Sequence, residues 1–246
     1  MVTDAHFHLG RCRVFDADFD ERDVVRAMDD HDVDRMVVQP YPGAPDAAAT
    51  HDRIAKLGHE TGGRVVGLAS LTPHQDDDAY YAEVSRCVAM GFVGVKLHTI
   101  GHAVNPRSAD AEKVFATAAD LGIPVMVHTG AGVPFADPAM IAGRAKQFPH
   151  VPIVLAHAGA GIFSGSALGM AQTFDNVLLE TSWCRVSDIG QMINAVGSRK
   201  VMLGTDHPNN VSVELAKYRS LGLSEEVLTD VLDRTAVNLF GIDAPQ

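Results

Sequence analysis

Pro152-Ile153-Val154-Leu155-Ala156-His157 is apolar through its first five residues and ends on a histidine. A run this short, apolar throughout and carrying Val and Ile, suits a parallel strand covered on both faces. The same design stands upstream in Pro124–His128 (PVMVH) and Val93–His98 (VGVKLH), and downstream in Val177–Thr181 (VLLET) and Val201–Asp206 (VMLGTD). Towards the N-terminus, Arg64–Leu71 (RVVGLASL), Arg35–Gln39 (RMVVQ) and Val2–Leu9 complete the series. Helix-forming stretches separate these runs: Asp20–His31, Asp46–Gly62, Asp76–Met90, Ser108–Leu121, Asp137–Phe148, Ser166–Phe174 and Asp188–Val196, with Val211–Ser220 and Ser224–Leu239 after the last. Asp76, Asp77 and Asp78 suit the positive end of a helix, and Ser108 and Gly122 are good start and stop residues. Ser166–Phe174 is the weakest helix, because Gly165 and Gly169 favour the unfolded chain. Strands alternating with helices, without a break in composition, predict an α/β fold: a single (β/α)8 TIM barrel over residues 1–246. A doubly wound open sheet is the rival, but His8-Leu9-Gly10-Arg11-Cys12-Arg13 is not the glycine-rich loop expected after its first strand.

The 246 residues are 46% apolar and 21% charged, as in an ordinary globular protein. Lys and Arg number 20 against 31 Asp and Glu, a net charge of -11. Such a surface repels phosphate backbones and anionic lipid heads, so neither nucleic acid nor membrane is expected as a partner. The partner to expect is a small-molecule substrate, and a homo-oligomer stays open. Cys12, Cys87 and Cys184 are odd in number and far apart, which is no disulfide framework and fits a reducing compartment. The N-terminus lacks the features of a secretory signal and no apolar run approaches the ~20 residues of a membrane span, so a cytoplasmic location is expected.

Barrel enzymes carry their chemistry at the C-terminal ends of the strands. The first strand ends Asp4-Ala5-His6-Phe7-His8, and residues two apart share a side, which puts Asp4, His6 and His8 towards the interior. Later strands end on Lys96 and His98, on His128, on His157, and on Asp206 and His207. So many donors in one place are costly unless a cation compensates them. Imidazole with carboxylate favours zinc and its neighbours over calcium or magnesium, and an open coordination position makes such a site catalytic. Taken singly, His98, His102 and His207 read as ordinary strand-end histidines more readily than as ligands. His31, His51, His59, His74 and His150 lie away from the strand ends and receive no role. Cys12 and Cys184 have no base beside them and read as filler, and the side Glu180 faces is not legible.

Asp4-x-His6-x-His8, Gly94-Val95-Lys96-Leu97-His98, Pro124–Gly130, Leu155-Ala156-His157-Ala158-Gly159 and Gly204-Thr205-Asp206-His207-Pro208 together resemble the amidohydrolase superfamily. Within it they are most similar to the amidohydrolase-2 branch, which includes aminocarboxymuconate semialdehyde decarboxylase, aromatic acid decarboxylases and metal-dependent lactonases. The resemblance implies that His6, His8, His128 and Asp206 hold one divalent metal, zinc as the first expectation with manganese fitting the same donors. It further implies that His157 orients or deprotonates water, that Asp206 shuttles a proton, and that Lys96 is a fixed charge for an anionic substrate. His98 and His207 are the expected substrate-binding residues. A carboxylated Lys96 bridging a second metal is the less favoured arrangement. The chemistry expected first is hydrolysis of a lactone, amide or related C–O or C–N bond by metal-activated water. The alternative is metal-dependent decarboxylation of a small aromatic or unsaturated carboxylic acid. Hydration of an unsaturated acid, or a barrel that only binds a ligand, are further readings. Few residues lie beyond the barrel, so the loops Thr99–Arg107, Gly130–Pro134 and Ala158–Ser166 are the candidates for a rim or lid.

Overall fold

The computed structural model describes residues 1–12, 16–44 and 46–242, which leaves Arg13 outside. Its strands are β1 (Thr3–Cys12), β2 (Ala17–Phe19), β3 (Arg35–Pro40), β4 (Val65–Ser70), β5 (Gly94–Leu97), β6 (Val125–His128), β7 (Ile153–Ala156), β8 (Val177–Glu180) and β9 (Val201–Met202). They form one sheet in the order β2-β1-β3-β4-β5-β6-β7-β8-β9. Every neighbouring pair is parallel except β1 with β2, an antiparallel hairpin absent from the sequence reading. The ladder stops at β9, and the segment after it returns to β1. Ala5 N–H donates to Leu203 O at 3.0 Å, and Asp206 N–H donates to His6 O at 2.7 Å.

The helices fall where capping chemistry starts and stops them: α1 (Glu21–Asp30), α2 (Ala47–Glu60), α3 (Asp77–Ala89), α4 (Ala109–Leu121), α5 (Ala142–Gln147), α6 (Ser164–Thr173), α7 (Val186–Val196), α8 (Val211–Ser220), α9 (Glu225–Thr229) and α10 (Thr235–Phe240). Asp20 opens α1 through a capping box, Ser108 caps α4, and Gly122 closes α4 in the left-handed conformation at φ 67°. The segment expected as one helix from Ser224 is divided by a π-turn over Asp230–Arg234. Asp233 in that turn accepts from Arg35 Nη1 at 3.1 Å and from Thr3 Oγ1 at 2.7 Å, an ion pair closed off from solvent beneath β1 and β3.

Two apolar layers follow from the strand period. Met36, Val38, Val95, Val125, Val127, Ile153 and Leu155 point outward and pack with the helices. Ala5, Val37, Leu68, Met126, Val154 and Met202 form a smaller inner cluster with Ala236 and Phe240 of α10. The register of β1 against β3 shifts between Asp4 and Phe7, so strict alternation fails there. Ala5 joins the inner apolar cluster, while Asp4 accepts from Thr205 N–H at 3.0 Å and from the Thr205 hydroxyl. Asp4 thus fastens the strand that carries His6 to the segment that carries Asp206, rather than joining the imidazoles.

Candidate metal centre

The site is the next inward layer above that apolar plug. On β3, β4, β6 and β8 the inner residues Val37, Leu68, Met126 and Leu178 are followed two positions later by Gln39, Ser70, His128 and Glu180. Lys96 on β5, His6 and His8 on β1, and His157 after β7 complete the polar layer. All of these are buried; the side chain of Asp206, which joins them from the segment after β9, is 24% exposed. At the rim, Gly130 has φ 104°, and a Cβ there would lie 2.5 Å from Ala160 Cβ, so two of the expected rim loops meet through a position only glycine fits.

The hydrogen-bond partners fix which ring nitrogen carries the proton. His6 Nδ1 lies 2.7 Å from Glu180 Oε2, and His8 Nδ1 lies 3.2 Å from the Pro40 carbonyl. His157 Nδ1 lies 2.8 Å from Ser182 Oγ, whose hydroxyl donates to Glu180 Oε2 at 3.0 Å. Carboxylate and carbonyl oxygens only accept, so all three rings donate from Nδ1 and carry a lone pair on Nε2. The Nε2 atoms of His6 and His8 are 3.3 Å apart, and Asp206 Oδ1 lies 3.2 and 3.1 Å from them. Three acceptors at this spacing repel one another unless a cation sits among them. For bonds of about 2.1 Å to an ion, these separations correspond to angles of roughly 100°, as a tetrahedral or octahedral centre requires. The donor set therefore fits a divalent metal of the zinc or manganese kind. The Lys96 ammonium, 2.9 Å from His6 Nε2, is the cation nearest that triangle, and Gln39 Nε2 lies 3.3 Å from His8 Nε2.

Burial holds the His6 and His157 imidazoles well below their ordinary value, so both are neutral at pH 7. The Lys96 ammonium is pushed down to about 8 by burial, with Asp206 and Glu180 opposing. Burial likewise lifts Asp4 to about 8, against the hydrogen bonds from Thr205 and His6.

Other expected site residues stand beside the triangle. His128 donates from Nε2 to Ala131 O at 2.8 Å, and its Nδ1 is buried without a partner among the described residues. Its ring stacks on His98 at 3.9 Å and meets His157 edge-on at 5.0 Å. His98 accepts from Gly101 N–H through Nδ1 at 2.9 Å, which leaves its Nε2–H as a donor. His102 Nδ1 accepts from His98 N–H at 3.3 Å. His207 sits at the partly exposed rim, where its Nδ1 accepts from Asn209 N–H at 3.2 Å and its ring meets Phe19 edge-on. The structure adds residues to which sequence reasoning assigned no role, Glu180 having been left open and Tyr41 and Trp183 passed over. Glu180, fully buried, also accepts from His157 N–H and Ser182 N–H, which makes it the clamp for two imidazoles. Its signal was the period of two from Leu178. Tyr41 stacks on His8 at 4.5 Å, and Trp183 donates from Nε1 to Asp206 Oδ2 at 2.8 Å. Neither aromatic carries a sequence signal.

A second cluster, His51, Glu83 and Cys87, lies among α2, α3 and β4. Its histidine is already saturated: Nδ1 donates to Glu83 Oε1 at 2.7 Å, and Nε2 accepts from Ser70 N–H at 3.0 Å. Arg86 grips Glu83 through two bonds of 2.7 and 2.8 Å and, with His51, holds its carboxyl down to about 2. A folded value below the ordinary 4.5 gives stability that is complete above pH 4.5 and lost as the pH falls towards 2. Glu83→Gln is expected to melt earlier at neutral pH and to lose less between about pH 5 and pH 3 than wild type. Parallel melting-temperature profiles for the two proteins would contradict this.

Residues 3–242 match the family model for amidohydrolases. No curated protein matches the sequence significantly. Among solved structures, a 2,6-dihydroxybenzoate decarboxylase complexed with 2,6-dihydroxybenzoate is similar at TM-score 0.78 and 18% identity, covering 99% of each chain. A dihydroxybenzoic acid decarboxylase from a Polaromonas species, with bound manganese and 2-nitroresorcinol, is similar at TM-score 0.80 and 18% identity, covering 99% of this chain and 97% of that one. A probable 2-pyrone-4,6-dicarboxylic acid hydrolase from Acinetobacter baumannii, with citric acid bound, is similar at TM-score 0.74 and 16% identity, covering 98% of this chain and 99% of that one. At these identities the likeness concerns the fold. Among the described residues no helix is long and apolar enough to cross a membrane.

Proposed function

The chain belongs to the amidohydrolase family, and on that premise we propose that it is a metal-dependent decarboxylase of a small aromatic or unsaturated carboxylic acid. The observation that carries the reading is the triangle of His6 Nε2, His8 Nε2 and Asp206 Oδ1, lone pairs turned together with an ammonium beside them. The decarboxylases among its structural neighbours, one of them with bound manganese, support the choice of reaction. The hydrogen bonds from Ala5 to Leu203 and from Asp206 to His6 support a closed barrel, forming one domain, in which these strand ends ring a single site.

His6, His8 and Asp206 would hold the metal, with His128 as the fourth candidate through its unpartnered ring nitrogen. Bound there, a divalent ion supplies positive charge for the substrate carboxylate and for electrons released as the carbon–carbon bond breaks. The Lys96 ammonium and the His98 Nε2–H provide further donors for an anionic acid. As carbon dioxide leaves, the ring carbon that held it needs a proton. His157, neutral in the resting site, would first take a proton from solvent on Nε2 and then deliver it, its Nδ1–H relayed through Ser182 to the Glu180 carboxylate, which supports the transient imidazolium. The proton is then replaced from solvent, so each turnover consumes one proton and releases one carbon dioxide.

Hydrolysis is the second reading, favoured by the neutral state of His157, whose Nε2 lone pair could accept a proton from water attacking a lactone or amide. The discriminating experiment incubates manganese- or zinc-loaded protein with panels of hydroxylated aromatic acids, unsaturated acids, lactones and amides, following carbon dioxide, ring opening and amine release. Metal-dependent carbon dioxide release from an acid is expected. Lactone or amide cleavage, with no carbon dioxide from any acid, would overturn decarboxylation in favour of hydrolysis.

A further inference from the structure

We propose that Trp183 is a positioning residue of the metal centre, its indole N–H holding one carboxylate oxygen of Asp206 so that only the other faces the histidines. The inference rests on the metal-dependent reading above.

The two oxygens of Asp206 have different partners. Oδ1 lies 3.2 and 3.1 Å from the His6 and His8 Nε2 atoms, while Oδ2 accepts from Trp183 Nε1 at 2.8 Å. A carboxylate with one oxygen on an N–H donor offers an ion its other oxygen alone. Without that donor the carboxylate is free to rotate, and the ordering it then needs weakens its hold on an ion.

Both ends of this contact are built in rather than incidental. Trp183 and Asp206 each have φ 64°, a left-handed conformation that is strained for a bulky residue such as Trp183 and persists only where the surroundings impose it. What imposes it is one buried pair at the start of α8. Trp183 N–H donates to Glu214 Oε1 at 2.8 Å, and Asn210 Nδ2 donates to the same oxygen at 2.8 Å. That Asn210 amide also donates to the Thr205 carbonyl at 3.0 Å, immediately before Asp206. Lys217 donates to that same oxygen at 2.8 Å. A single helix end therefore sets the positions of donor and acceptor together. Apolar burial does not explain the residue, since Trp183 is 50% exposed.

Trp183 is also the only tryptophan in the chain, so its emission reports this one contact. The test titrates wild type, Trp183→Phe and Trp183→Ala with cobalt(II), reading the visible spectrum and the affinity by chelator competition, and follows wild-type tryptophan fluorescence during the titration. Wild-type fluorescence is expected to change in step with metal uptake. Both variants are expected to bind cobalt(II) about 10–100-fold more weakly with an altered visible spectrum, because both lack the N–H. Phenylalanine restoring wild-type affinity and spectrum would show that ring packing, not the N–H, is what matters, and would overturn the inference. So would stoichiometric cobalt(II) uptake by wild type without any change in fluorescence. A wild-type protein that binds no metal would instead overturn the metal-dependent reading itself.

Discussion

Replacing His6 with alanine is expected to abolish both metal binding and turnover while leaving a folded protein. The imidazole is fully buried, supplies a lone pair to the triangle through Nε2 and anchors on Glu180 through Nδ1. Its loss removes one of three converging donors and leaves the Glu180 carboxylate with fewer partners, at a cost of about 1–3 kcal/mol to the metal-free fold. The metal effect is larger. An ion that binds only the native state at a thousand times its dissociation constant adds about 4 kcal/mol, or roughly 10 °C of melting temperature for a chain of this size. A chelator should therefore lower the wild-type melting temperature by about that amount and leave His6→Ala unmoved. Elemental analysis and melting curves with and without chelator check the prediction. One equivalent of metal retained by His6→Ala would show that the triangle is not the centre.

Gly204→Ala is expected to damage the same centre without touching a ligand. A Cβ at Gly204 would lie 2.5 Å from Glu180 Cδ and closer still to its Oε1. The carboxylate must move, yet it is fully buried and accepts from His6, from Ser182 twice and from the His157 backbone. Overpacking of this kind costs about 1–3 kcal/mol. Loss of the group that orients a metal-binding histidine typically weakens affinity 10–100-fold. Gly169→Ala is the control: its Cβ would meet nothing within 4 Å in α6, so the helix gains roughly 0.5–1 kcal/mol and metal affinity stays level. Chelator competition on the three proteins decides it, and equal affinity in Gly204→Ala would remove Glu180 from the role of clamp.

The strands and helices were legible because each rests on local chemistry. The apolar run Ile153–Ala156 and the Ser108 and Gly122 caps act within a few residues of themselves. The hairpin to β2 and the π-turn at Asp230–Arg234 were not legible, since one depends on strand pairing and the other on an ion pair with Arg35 far along the chain. The alternation rule misplaced Asp4 for a related reason, a register shift produced by how β1 meets its neighbour.

The amino-acid order alone determined that imidazoles, an amine and an aspartate end successive strands, and hence that a polar layer of candidate ligands forms above an apolar one. That much follows from a side-chain period of two and the position of each polar residue at its strand's end. Which nitrogen of each ring faces inward was decided by tertiary contacts: Glu180 turns His6, the Pro40 carbonyl turns His8, and Ser182 turns His157. The same contacts set His128 against Ala131 and brought Trp183 onto Asp206. Proton placement depends on partners distant in sequence, and no local pattern encodes it.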